Sequence, residues 1–211
     1  MILRSARTAR VLLIRPGATE FDDQLRIKGN LDMPMSERGR QQVRSLAEQI
    51  SEFPLKAIYT APGESARETA NWLAKGRSDR GRNVPTKVVE AFRNIDHGLW
   101  HGKLIDELKR NHPRLYRQGQ DAPTDICPPD GESIREGKAR AEKAVRRVIR
   151  KSGNDMIAIV IPDPMAWVVE SLLTGEELSN LWKAETDSGE WDFIEAEAER
   201  SWYETKSPSQ K

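Results

Sequence analysis

In RVLLIRPGATEFDDQ, residues 10–24, the guanidinium of Arg15 closes a compact apolar run and stands directly before Pro16 and Gly17. An apolar run that stops at Pro-Gly is the pattern of a buried strand ending abruptly. Ligands of open α/β sheets bind at the carboxyl ends of the strands, so Arg15 could hold an anion there. The alternative for the same side chain is a structural ion pair with Asp22, Asp163 or Glu132. The most hydrophobic run, Met156 to Ile161, also ends in a proline, Pro162, followed by Asp163. Asp96, His97 and His101 offer a spacing that could ligate a metal, but Gly98 and Gly102 argue for a loop and no cysteine lies near. No metal or other cofactor is therefore expected. The cations Arg146, Arg147, Arg150 and Lys151 read as the solvated face of a helix near its C-terminus, where positive charge suits the dipole. Trp191 and Trp202 could anchor a protein partner, with packing at a core or sheet edge as the simpler reading.

The chain of 211 residues carries 34 Lys and Arg against 33 Asp and Glu, a formal charge of +1. No global field steers it to nucleic acid or to an anionic membrane, although a specific site for a small anion is compatible with this balance. With 37% hydrophobic and 32% charged residues it has the composition of a globular protein. The N-terminal segment has an apolar run too short for a signal peptide, and no segment is long enough to span a membrane. The single cysteine, Cys127, excludes an internal disulfide. A cytoplasmic location is expected, and one domain over residues 1–206 with a frayed tail at 207–211.

Hydrophobic periodicity supplies the elements that must position these residues. Strands are expected at 10–15, 55–60, 86–91 and 156–161. Helices are expected after Ser36, with Val43, Leu46, Ala47 and Ile50 on one face, then at 64–74, 133–152, 165–173 and 176–183. Residues 94–132 read as a long insertion of loops and short helices, one of them around 105–110. Residues 189–196 and 201–205 could pair as an antiparallel hairpin closing one sheet edge. The alternation of strands and helices predicts an α/β fold, a three-layer α/β/α sandwich with a mainly parallel sheet.

Five segments in one order resemble the histidine phosphatase superfamily, which includes phosphoglycerate mutases and phosphatases. They are LIRPGATE, RIKGNLDMPMSERGRQQ, AIYTAPGESARETANWLA, FRNIDHGLWHGKLIDEL, and PPDGES with IAIVIPDPMAWVVESLLTG. The resemblance covers nearly the whole chain and implies the phosphoglycerate mutase-like fold. In that family a His at the end of the first strand takes the phosphoryl group, two Arg and a second His bind its oxygens, and a Glu protonates the leaving oxygen. At these positions this sequence has Pro16 for the nucleophile, Ser65 for the second Arg, Pro162 for the second His and Asn94 for the acid, while Arg15 is kept.

A prolyl ring has neither a lone pair to attack with nor an N–H to donate. An amide such as Asn94 has no proton to give at a useful pKa. The resemblance thus implies a degenerate member, a non-enzyme that binds a partner protein or a small anionic ligand through Arg15 and Arg26. The alternative is an active phosphatase or phosphomutase with altered residues, Asp163 or Asp96 serving as nucleophile or base. A structural subunit of an oligomer is a third reading. Trp167 lies where the family often has Arg, and either plugs the pocket or packs on the sheet.

Overall fold

The two most apolar stretches of the chain lie side by side at the centre of one sheet. β1 (Thr8–Ile14) and β4 (Met156–Val160) pair in parallel, with Ile14 opposite Val160, and every residue of β4 is buried. This fits a central parallel strand, covered on both faces and therefore apolar throughout. The computed structural model describes residues 8–78, 81, 83–178 and 188–197. Among them, β2 (Leu55–Thr60), β3 (Thr86–Val88) and β5 (Trp191–Glu197) complete a sheet in the order β3-β2-β4-β1-β5. All pairs are parallel except β1 with β5.

The helices are α1 (Glu20–Asp23), α2 (Glu37–Gln49), α3 (Glu64–Ser78), α4 (Ile105–Asn111), α5 (Pro113–Asp121), α6 (Ile134–Ser152) and α7 (Met165–Thr174). α2 packs with α3, and α6 with α7, on a mostly parallel sheet, giving the expected α/β/α sandwich. Local chemistry starts them where the sequence indicates. The Ser36 hydroxyl accepts from the Gly39 N–H at 3.2 Å ahead of α2, a cap worth about 1 kcal/mol. Ahead of α6, Ser133 and Glu136 satisfy each other's backbone N–H groups in a capping box. α6 then buries Ile134, Ala141, Val145, Val148 and Ile149 as one stripe. α7 buries seven of its ten residues, as a helix wedged between sheet and neighbour must.

Several expectations are revised. The third strand stops at Val88, because the chain turns in a 3-10 helix at Glu90–Phe92 that drives the Phe92 ring to zero exposure. Burying a phenylalanine outweighs a few more ladder bonds on an edge strand. Residues 176–178 are not helical, and 179–183 lie outside the described residues, as do the expected strand at 201–205, Trp202 and the tail. β5 pairs with β1, with Leu12 opposite Phe193. Residues 94–132 carry α4, α5 and 3-10 turns at Gly98–Trp100 and Pro123–Asp125, anchored by buried Trp100 and Leu108. Gly98, at φ +49°, is required here, since a Cβ would stand 2.1 Å from the Pro129 carbonyl oxygen. No helix among the described residues is long and apolar enough to cross a membrane.

Candidate functional site

The loop leaving β1 is held by its backbone. The Gly17 N–H donates to Thr69 Oγ1 at 3.1 Å, the Ala18 N–H to Gln42 Oε1 at 3.0 Å, and the Pro16 carbonyl accepts from the Gly189 N–H at 2.9 Å. Gly39, in the first turn of α2, lets that helix approach, since a Cβ on it would stand 2.1 Å from the Ala18 carbonyl oxygen. Pro16 is buried beneath this network. Its ring offers no group for chemistry.

Arg15, only 7% exposed, is surrounded by carboxylates. Its Nε donates to Asp163 at 2.8 Å, Nη1 pairs with Asp192, and Nη2 lies 3.4 Å from Glu170. Burial alone would disfavour the charged guanidinium, but Asp163 and Asp192 overcome it and raise the pKa above the usual arginine value. Burial pushes the Glu170 carboxyl up, helped by Asp192 and opposed by Arg15. One cation faces three carboxylates, so this cluster repels rather than attracts a further anion. The ion pair with Asp163 was one of the alternatives legible in the sequence. Asp22 and Glu132 pair elsewhere, with Lys28 at 2.8 Å and Arg140 at 2.6 Å.

A separate cavity of about 50 Å³ opens at the carboxyl ends of β2 and β4, and its lining includes Lys28, Ser65, Arg93, Asn94 and Pro162. Three of the four positions at which the catalytic residues of the resemblance are replaced meet here; Pro16 is not in the lining, and neither are Arg15 and Arg26. Arg26 donates to the Gly102 carbonyl at 2.6 Å and to Gln24 at 2.9 Å, which ties its loop to the segment before α4. The cations of the cavity are ones that sequence reasoning missed. Lys28 is held by Asp22. Arg93 is half exposed and 3.7 Å from Glu132, the more available of the two. The signal for Arg93 was its place beside Asn94 in FRNIDHG.

Asn94 is 4% exposed and fully engaged. Its Nδ2 donates to the carbonyls of Gly29 at 2.9 Å and Asp163 at 2.7 Å, and its Oδ1 accepts from the Met165 N–H at 3.1 Å. The side chain thus staples three loops together. The backbone N–H groups of Glu64 and Ser65 are likewise taken, by Asp32 at 2.5 Å and the Met33 carbonyl at 3.1 Å, so the start of α3 offers no free donor at either residue.

The lining contains no histidine. His101 sits nearby, its Nε2 accepting from the His97 N–H at 3.3 Å with Asp96 at 3.8 Å. Burial pushes its pKa down, opposed by Asp96 and helped by His97. Among the described residues no group of three or more His, Cys, Asp or Glu side chains could hold a metal ion. Of the two aspartates weighed as nucleophile or base, Asp163 is bonded to Arg15, and Asp96 accepts from the Gly98 N–H at 2.9 Å. Trp167 packs on the hydrophobic core, and Trp191 packs edge-on to Phe53 at 5.4 Å.

Comparison with known proteins gives a consistent picture. The family model described as "Histidine phosphatase superfamily (branch 1)" matches residues 11–206. Phosphoserine phosphatase 1 of Hydrogenobacter thermophilus is 26% identical over 192 residues, 91% of this chain and 89% of that protein. A probable phosphoglycerate mutase GpmB of Serratia proteamaculans is 29% identical over 64% of this chain and 61% of its own length. The solved structure of Bacillus stearothermophilus YhfR superposes with a TM-score of 0.71 at 28% identity, over 82% of this chain and 84% of that one. These names correct the expectation of a non-enzyme: relatives over most of the chain are a phosphatase and a mutase, which points to enzymatic activity. On the match across residues 11–206, the chain belongs to the histidine phosphatase superfamily.

Proposed function

We propose that this chain is a phosphatase with altered catalytic residues, acting on phosphoesters whose leaving group departs without a proton. The observation that carries the reading is Asn94, at the position of the proton donor in the resemblance, with all three of its hydrogen bonds committed to the fold. An aryl, enol or acyl oxygen leaves as a stable anion unaided, whereas a sugar or serine alkoxide does not. In the cavity at the ends of β2 and β4, Arg93 and Lys28 supply positive charge for the phosphoryl oxygens. Water attacks phosphorus, the bond to the leaving oxygen breaks with its electron pair, and the protons of the water pass to phosphate and solvent. Losing a covalent nucleophile costs on the order of a millionfold where catalytic groups act as a unit. Turnover is therefore slow and rests on charge and positioning.

The test is a rate series on aryl phosphates of graded leaving-group acidity, with acetyl phosphate and phosphoserine beside them. The expected result is a steep rise in kcat/KM with leaving-group acidity, turnover of p-nitrophenyl and acetyl phosphate, none of phosphoserine, and a loss of about a hundredfold in Arg93→Ala. Turnover of phosphoserine as fast as of p-nitrophenyl phosphate overturns the reading, and so does no turnover of any of them.

A further inference from the structure

A second, roomier cavity lies away from this site. It has a volume of about 390 Å³ and sits between β3, at the edge of the sheet, and the second half of α6. β3 is three residues long and, among the described residues, is the edge strand of the sheet. Ala144, Arg147, Val148 and Lys151 fall at i, i+3, i+4 and i+7 on α6 and present one stripe to the cavity. Tyr59 and Lys87, register partners on β2 and β3, form the opposite wall, with the Lys87 ammonium 5.4 Å from the ring centroid.

Two properties of this space define what fits it. Tyr59 from one wall and Ala144 and Val148 from the other give the cavity an apolar lining, and its volume suits a small organic ligand. Lys87, Arg147 and Lys151 bring three cations to the rim against one carboxylate, Glu90, and none of the three forms an ion pair among the described residues. We infer that this cavity is a second binding site, for a small amphipathic anion: an aromatic or short acyl body carrying a carboxylate, the body between Tyr59 and the Ala144 and Val148 side chains and the charge among Lys87, Arg147 and Lys151. This inference does not depend on the phosphatase reading.

The probe is 1-naphthoate, titrated into the full chain by calorimetry and by amide NMR. Saturable one-to-one binding is expected, with shifts centred on β3 and α6. 1-Naphthylmethylamine, of similar shape and opposite charge, should bind at least tenfold more weakly. The double variant Arg147→Gln/Lys151→Gln should weaken 1-naphthoate at least tenfold, and Ala144→Phe, which fills the space and keeps the charges, should do the same. Arg150→Gln, an exposed cation of α6 outside the lining, should leave it unchanged. No saturable binding overturns the inference, as does equal binding of the amine. Binding abolished by Arg93→Ala yet untouched by Arg147→Gln/Lys151→Gln also overturns it, since the probe would then occupy the strand-end cavity. Melting temperatures within a few degrees of the parent verify that each variant is folded.

Discussion

Arg15 and Asp163 are 148 residues apart in the chain and 2.8 Å apart in space, Nε to Oδ2. They tie the end of β1 to the turn after β4, with Asp192 on β5 and Glu170 on α7 completing the cluster. The cation that the resemblance assigns to phosphate is thereby held by acids of its own chain.

Removing that cation should destabilise the fold. Arg15→Met removes the guanidinium that donates to the buried Asp163 carboxylate, 5% exposed, at 2.8 Å. Breaking a buried ion pair by removing one partner costs about 3–5 kcal/mol. Urea denaturation at pH 7 should show a loss in that range.

Glu170 predicts the opposite sign. Its folded pKa is raised, chiefly by burial, so its protonated form is the one that suits the fold. The associated stability is fully present below the ordinary glutamate pKa and is lost as pH rises through the raised value. Glu170→Gln, which cannot ionise, should match the parent at low pH and exceed it in stability at pH 7. A parent more stable than the variant at pH 7 would refute this.

His101 titrates in the reverse direction from Glu170. Its pKa is lowered, first by burial, and its Nε2 accepts a hydrogen bond, which requires the neutral ring. The stability tied to it is present above the ordinary histidine pKa of about 6.5 and is lost as pH falls through the lowered value. NMR titration of the His101 ring should place its midpoint below that of an unfolded peptide, and in His101→Gln this part of the acid loss should vanish.

Asn94→Asp should be costly although nearly isosteric. It replaces two donors with a carboxylate oxygen facing the carbonyls of Gly29 and Asp163, an unsatisfied and repulsive arrangement worth about 3 kcal/mol. Chemical denaturation of variant and parent at pH 7 measures it. The same bonds explain why a carboxylic acid at 94 would not by itself restore proton transfer.

Gly39→Ala forces a methyl to 2.1 Å from the Ala18 carbonyl oxygen. Overpacking against backbone costs about 1–3 kcal/mol. The expected signs are a lowered midpoint of denaturation and amide shifts spreading from Ala18 to Thr19.

What the sequence determined by itself was whatever depends on neighbours in the chain. Ser36 and Ser133 cap the helices that follow them, the apolar runs at 10–14 and 156–160 are strands, and Pro16 and Asn94 lack the groups for attack and proton transfer wherever they are placed. The end of β3 escaped this reading, since Val89 to Ala91 suits a strand locally and only the burial of Phe92 turns the chain. Tertiary structure alone decided which charges meet. Arg15 could have paired with any of several acids, and its actual partners come from β4's outgoing turn, α7 and β5, between 148 and 177 residues away. Arg93 and Lys28 face one cavity, and Lys87 and Arg147 another, because parallel pairing of β2 with β3 and β4 brings distant segments to common edges. Periodicity is a property of the local chain and can be read from it, whereas electrostatic pairing acts through space and is set only when the sheet order is.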